Sequence, residues 1–173
     1  MIRPIKPRDL VLSSVDIWFK RWFLLTAGDM EKFNSMTVAW GSVGGIWDMP
    51  FVQIVVRPTR HTFGFMNEFD TFTLCSFPLK HRKDLALLGS RSGRDGDKIA
   101  LTKLTPVKSA AVTAPSFKEA DLVIECRKIY WQDLDDRNFL SAKIAEKYPQ
   151  LDYHRIFFGE ILRIRGSREF KQK

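Results

Sequence analysis

Phe33–Arg60 reads FNSMTVAWGSVGGIWDMPFVQIVVRPTR, and this stretch decides the fold. Ser35–Gly41 alternates, with Met36, Val38 and Trp40 on one face and Ser35, Thr37, Ala39 and Gly41 on the other. Strict alternation predicts a strand. The second face is small and polar, which lets a ligand or another backbone come close. Gly44-Gly45 is expected to be a flexible connection, and Trp47-Asp48-Met49-Pro50 to lead into a strand over Phe51–Arg57. Pro58 stops that strand, and Thr59 is the expected N-cap of a short helix over Arg60–Phe69. The stretch thus predicts a β-hairpin that ends in a basic helix start.

Outward from it, Trp22–Ala27 reads as a short strand before a turn at Gly28-Asp29. Thr71–Phe77 is a strand, and Leu79–Leu88 a helix closed by Gly89. Asp97–Leu101 is expected to make one more helical turn, and Val107–Thr113 to be weakly extended. Asp121–Asp133 is a long strand with Leu122, Ile124 and Cys126 on one face. One or two helical turns follow within Arg137–Tyr148. In the last strand, His154–Arg165, Ile156, Phe158, Glu160, Leu162 and Ile164 alternate against the other face. Met1–Leu10, with two prolines, is expected to run extended over the surface. Many strands with short interposed helices predict a mainly β fold, a β-barrel with short peripheral helices, as one domain over residues 1–173.

Composition narrows the class. Hydrophobic residues are 45% and aromatics 13%, so the chain can bury a core. Fourteen Phe and five Trp point to a packed core, an aromatic-lined pocket or an oligomer interface. The formal net charge of +8 admits nucleic acid, an anionic membrane or a small anionic ligand as partner. The basic residues are scattered over Lys80–Lys83, Arg91, Arg94, Arg163–Arg168, Lys171 and Lys173, which reads as a solvated surface with a basic tail. Cys75 and Cys126 sit in apolar runs and are expected to be buried free thiols in a reducing compartment. The N-terminus has no apolar signal core and no window approaches a membrane span, so a cytoplasmic location is expected.

Two segments suit an anion. Arg57-Pro58-Thr59-Arg60-His61-Thr62 offers helix-start N–H groups beside Arg57, Thr59 and Arg60. Alone, it reads sooner as an ordinary capped helix with surface arginines than as an anion site. Gly89–Lys98, GSRSGRDGDK, combines Gly89, Gly93 and Gly96 with Ser90, Ser92, Arg91, Arg94 and Lys98. Alone, it is equally a solvated turn, and its spacing is not that of a P-loop.

Among the aromatics Trp40, Trp47, Phe63 and His154, Trp40 shares a face with Met36 and Val38 and reads as core. Trp47, in a glycine-flanked loop, is the better candidate lid over a planar ligand. His81, within Lys80–Lys83, is expected to be solvated. His61 and His154 are isolated, so no metal site is expected. Hydrolytic machinery is not visible: no GxSxG is present, and Asp135-Asp136 reads as structural. Catalysis, if any, then falls to a bound cofactor.

Asn34-Ser35-Met36-Thr37, Trp40-Gly41, Trp47, Pro50, Arg57-Pro58-Thr59-Arg60, the Gly89–Lys98 loop, and Tyr153-His154-Arg155 before Gly159-Glu160 occur in an order that resembles the flavin reductase-like family. The nearest branch is that of flavoredoxins and NADH:FMN oxidoreductases. The resemblance covers nearly the whole chain. It implies an FMN-binding split barrel and a homodimer with one FMN per subunit near the interface. Asn34, Ser35, Met36 and Thr37 would meet the flavin ring and ribityl chain, largely through backbone groups, with Trp40 close by. Arg57, Pro58, Thr59 and Arg60 would lie near the phosphate or ribityl end. Gly89, Ser90, Ser92, Gly93, Arg94 and Lys98 would complete the phosphate grip, and His154 would neighbour the flavin.

The implied activity is hydride transfer from NAD(P)H to the flavin, with electrons passed on to free flavin, a metal complex or a protein. No side chain need act as acid or base. Without a GxGxxG fingerprint, the nicotinamide would bind only transiently. Two positions depart from the family pattern: Ala39 where relatives often carry Ser, and Leu88 where they often carry Cys. Three other readings remain: an FMN-bearing electron carrier, a basic nucleic-acid-binding module, and pyridoxamine-phosphate oxidase-like chemistry.

Overall fold

The computed structural model describes residues 2–172; Met1 and Lys173 lie outside them. Eight strands form one antiparallel sheet: β1 (Arg3–Ile5), β2 (Phe23–Gly28), β3 (Phe33–Val38), β4 (Gly41–Ile46), β5 (Met49–Val56), β6 (Thr71–Ser76), β9 (Leu122–Asp133) and β10 (Arg155–Gly166). A separate two-stranded ribbon joins β7 (Pro106–Val107) to β8 (Ser116–Phe117). The sheet order is β3-β2-β6-β9-β10-β5-β4, with β1 added to β10. The sheet curls until β3 faces β5 without pairing to it, so the barrel is split there. Three short helices decorate it: α1 (His61–Glu68), α2 (Arg82–Ser90) and α3 (Ala142–Ala145). The expected class is observed. Among the described residues, no helix is long and apolar enough to cross a membrane.

Alternation on the central strands divides the core in two. Phe23, Leu25, Phe72, Leu74, Ile124 and Cys126 point into the barrel. Leu24, Cys75 and Val123, one residue out of phase, meet Leu85 and Leu88 of α2 and Phe117 on the outer face. Covering both faces is why these strands read as continuous apolar runs. Both cysteines are free and buried, as expected.

Several local expectations fail for identifiable reasons. Gly44 and Gly45 are strand residues, paired with Phe51 and Pro50, and the turn is at Trp47-Asp48. These two residues adopt φ of 50° and 57°, the left-handed region that a tight hairpin turn requires. Residues 3–5 are extended, as expected, but they pair with β10, and Ile5 is buried rather than on the surface. Gly89 lies inside α2 rather than closing it; a Cβ there would press on Thr37 at 3.2 Å, so the glycine permits close helix–strand packing. Thr59 does not cap α1: its hydroxyl turns to Asp152, and Arg60 occupies the cap position.

Asp97–Leu101 forms turns in which Asp97 Oδ1 accepts from the Ile99 and Ala100 amides. Of Val107–Thr113, only Val107 is in a strand. His81 is buried rather than solvated, its Nδ1 2.9 Å from Asp84. On β10 the odd positions face the core through Phe157 and Ile161, and an irregularity between Ile161 and Arg163 shifts the phase so that Ile164 is buried next.

Candidate functional site

The split in the barrel makes the site. β3 is an edge strand, and Gly41 of β4 pairs with Ile54, so β5 has no β4 partner beyond that residue. A hollow of about 250 Å³ fills the gap. Met36, Thr37, Val38, Ala39 and Trp40 line one side, and Val55, Arg57, Arg60 and His154 the other. Five consecutive residues can line one cavity only because it meets the strand's edge rather than one of its faces. Its walls therefore include backbone donors and acceptors with no strand partner.

Trp40 is 43% exposed, beyond the end of β3, and its ring centroid is 5.2 Å from that of His154. It belongs to the hollow and not to the core. His154 is buried, with Nδ1 2.8 Å from the Tyr148 hydroxyl. Burial, reinforced by Arg57, pushes its imidazole down to about 4, so it is neutral at physiological pH. Arg57 donates to Asp152 Oδ1 at 2.5 Å and to the Lys147 carbonyl at 2.6 Å, and lies 4.8 Å above the Tyr148 ring. These contacts fasten the Asp135–Asp152 segment to the mouth of the hollow.

A second hollow, about 150 Å³, adjoins the first through Arg60. Thr59, Arg60, His61 and Thr62 form one side; Ser90, Arg91, Ser92, Gly93, Arg94 and Lys98 form the other, with Asn34 between. The two anion-suited segments thus face one cavity. Arginines tie them: Arg60 Nη2 donates to the Gly89 carbonyl at 2.6 Å, and Arg94 Nη1 to the Thr59 carbonyl at 3.1 Å. Lys98 is buried and donates to the Leu88 and Arg91 carbonyls, both at 3.0 Å, which leaves one of its three protons for a ligand. Burial first, then Arg60, pulls its ammonium down to about 8. Asn34 Nδ2 donates to Thr62 Oγ1 at 2.6 Å and so sets strand against helix.

Most predicted residues converge, with corrections. Asn34, Met36, Thr37, Trp40, Thr59, Arg60, Ser90, Ser92, Gly93, Arg94, Lys98 and His154 line one hollow or the other. Ser35 points inward and shares a 2.8 Å hydrogen bond with Thr26. Pro58 and Gly89 line neither hollow, although Gly89 offers its carbonyl to Arg60. Arg57 faces the first hollow, not the anion end. Trp47 is no lid: its ring packs 6.0 Å from Tyr130 and 6.2 Å from Phe158, on the outer sheet face. The sequence reading missed Val38 and Val55 in the first hollow and Tyr148 behind His154.

A cavity of this kind suits a flat ring against a strand edge with an anionic tail among cations, and the residues present fit FMN in that sense. The sequence model of the flavin reductase like domain family matches residues 20–172. An uncharacterised protein of Archaeoglobus fulgidus is 27% identical over 151 residues, 87% of this chain and 75% of that one. Flavoredoxin of Desulfovibrio vulgaris superposes with a TM-score of 0.67 at 22% identity, covering 92% of this chain and 73% of the other. An FMN-binding domain of a flavin reductases-like enzyme from Shewanella baltica gives 0.69 at 15% identity, covering 96% and 77%. At these identities the structural likeness is one of fold.

Proposed function

Because this chain belongs to the flavin reductase-like domain family, we propose that it is an FMN-binding oxidoreductase that takes hydride from NAD(P)H and hands electrons on to free flavin, a metal complex or a protein. The observation that carries this reading is the junction at Arg60, where a strand-edge slot meets a two-sided cationic cradle.

Bound FMN would supply the redox chemistry, accepting hydride and releasing electrons. The chain's residues bind and orient. Unpaired backbone groups over Met36–Ala39 would hold the polar edge of the ring, with Trp40 and His154 beside it. Arg94, Lys98, Arg60 and the Ser90 and Ser92 hydroxyls would grip the phosphate. The imidazole of His154, kept neutral, adds no positive charge beside the ring. No acid–base residue is assigned.

A homodimer is part of the proposal. Trp47 and Tyr130 are 55% and 43% exposed, and Phe51 stacks on Phe158 beside both. The face of β5 that carries Phe51 also carries Val55, a wall of the first hollow. A second copy seated on this aromatic face would cover it and border the site. Buried free thiols suit a reducing cytoplasm.

The likeness to flavoredoxin favours one second reading, an FMN-bearing carrier with little NAD(P)H activity. Anaerobic stopped-flow mixing of FMN-loaded protein with NADH and NADPH separates the two. Rapid bleaching of the flavin supports the reductase; no bleaching with either donor supports the carrier. Protein that stays colourless and takes up no added FMN contradicts both.

A further inference from the structure

The fold treats the two ring nitrogens of His154 differently. Nδ1 lies 2.8 Å from the Tyr148 hydroxyl, and among the described residues Nε2 has no partner. Nor is Nε2 sealed away unbonded, as Nε2 of His81 is, so it opens on the first hollow, which His154 lines. The ring is neutral and therefore carries one proton. Which nitrogen holds that proton is set by the hydrogen bond at the other.

Two arrangements satisfy Nδ1. If Nδ1 donated to Tyr148, the hydroxyl proton would need an acceptor of its own. Tyr148 is 4% exposed, and His154 is the one partner of its hydroxyl among the described residues. A buried hydroxyl proton left without an acceptor is costly. If the hydroxyl donates instead, Nδ1 accepts and both groups are satisfied. Burial raises the pKa of the phenol, so the proton to be donated is present at neutral pH. The imidazole proton then sits on Nε2.

We propose that Tyr148 is a positioning residue: it fixes His154 in the Nε2–H form, which gives the first hollow a neutral hydrogen-bond donor for an acceptor atom of the flavin ring. This inference rests on the flavin reading of that hollow. Such a donor binds the electron-rich reduced ring more strongly than the oxidised one, and so raises the potential of the bound flavin. The Tyr148 ring is held on several sides. Phe139 stacks on it at 5.9 Å and 18°, Tyr153 tilts against it at 5.1 Å, and the Arg57 guanidinium lies 4.8 Å from its centre. Arg57 is itself clamped by Asp152. The hydroxyl therefore has a fixed direction before any ligand binds.

Long-range proton–nitrogen correlation spectra of the full chain at neutral pH, before and after FMN is added, read the tautomer directly. The wild type should show Nε2 protonated. Tyr148→Phe, which keeps the ring and loses the hydroxyl, should populate both forms. Redox titration of the FMN-loaded proteins reads the consequence. Tyr148→Phe should lose about tenfold of the preference for reduced over oxidised flavin, a potential about 30 mV more negative for a two-electron couple. His154→Leu should lose at least as much, and adding Tyr148→Phe to it should change nothing further, because Tyr148 acts through the imidazole. A wild-type imidazole protonated on Nδ1, or a Tyr148→Phe spectrum like that of the wild type, overturns the proposal. So do unchanged potentials, or additive shifts in the double variant, which would make Tyr148 a structural residue only. If no FMN binds, the flavin reading itself falls, while the spectra of the free protein still decide what Tyr148 does to His154.

Discussion

The Tyr148 hydroxyl lies 2.8 Å from Nδ1 of His154, the buried histidine that walls the first hollow. With its imidazole pushed down to about 4, His154 stays neutral where an ordinary histidine, near 6.5, takes up a proton. As pH falls from about 6.5 toward 4, the unfolded chain gains that proton first. His154 therefore subtracts stability over this window and contributes no pH dependence above it. Urea midpoints should fall more steeply between pH 7 and 5 for the wild type than for His154→Gln. Equal slopes would show that the imidazole titrates normally.

Lys98 predicts a pH dependence of the opposite kind. Its ammonium, lowered to about 8 in the free protein, would be held charged by a bound phosphate. FMN affinity should fall as pH rises above about 8, by up to about tenfold per unit. Binding there should take up a proton, visible by calorimetry in buffers of different ionisation enthalpy. Lys98→Met should bind weakly and lose the dependence; a flat wild-type profile would remove Lys98 from the cradle.

Gly93 lets the Ser90–Lys98 loop touch β3. A Cβ there would collide with Asn34 Oδ1 and crowd His61 at 3.0 Å. Gly93→Ala should push the loop off the strand and weaken FMN binding by about tenfold, a cost of about 1.4 kcal/mol. The thermal midpoint should move little, since Gly93 lies outside both core clusters. Wild-type affinity in this variant would mean that the loop closes without that contact.

The exposed aromatic face predicts assembly. Trp47→Glu should convert a dimer into a monomer in sedimentation velocity at micromolar concentration. A wild-type protein that is already monomeric would leave the face without a second copy.

Where pattern and chemistry agree, the sequence is legible. Strands β2, β5, β6, β9 and β10 announce themselves by apolar runs, and the cradle by its density of Gly, Ser, Arg and Lys. The failures share a cause: tertiary partners override local signals. Thr59 looks like a cap, but Asp152, 93 positions away in sequence, claims its hydroxyl. Ser35 reads as part of a ligand-facing strand, but Thr26 on the neighbouring strand takes it inward. Trp40 reads as core because periodicity extends it along a strand that in fact ends at Val38. Tyr148 carries no sequence signal at all, since only folding brings it to His154.

Titration of the protein with FMN and with riboflavin, in wild type and in Arg94→Ala with Lys98→Ala, tests the central claim most directly. The two flavins share the ring and differ by the phosphate, so the comparison isolates the cradle from the slot. The account predicts FMN binding about 100-fold tighter than riboflavin in the wild type, and a ratio near unity in the double variant. Equal affinities for both flavins in the wild type, or an unchanged ratio in the variant, would contradict it.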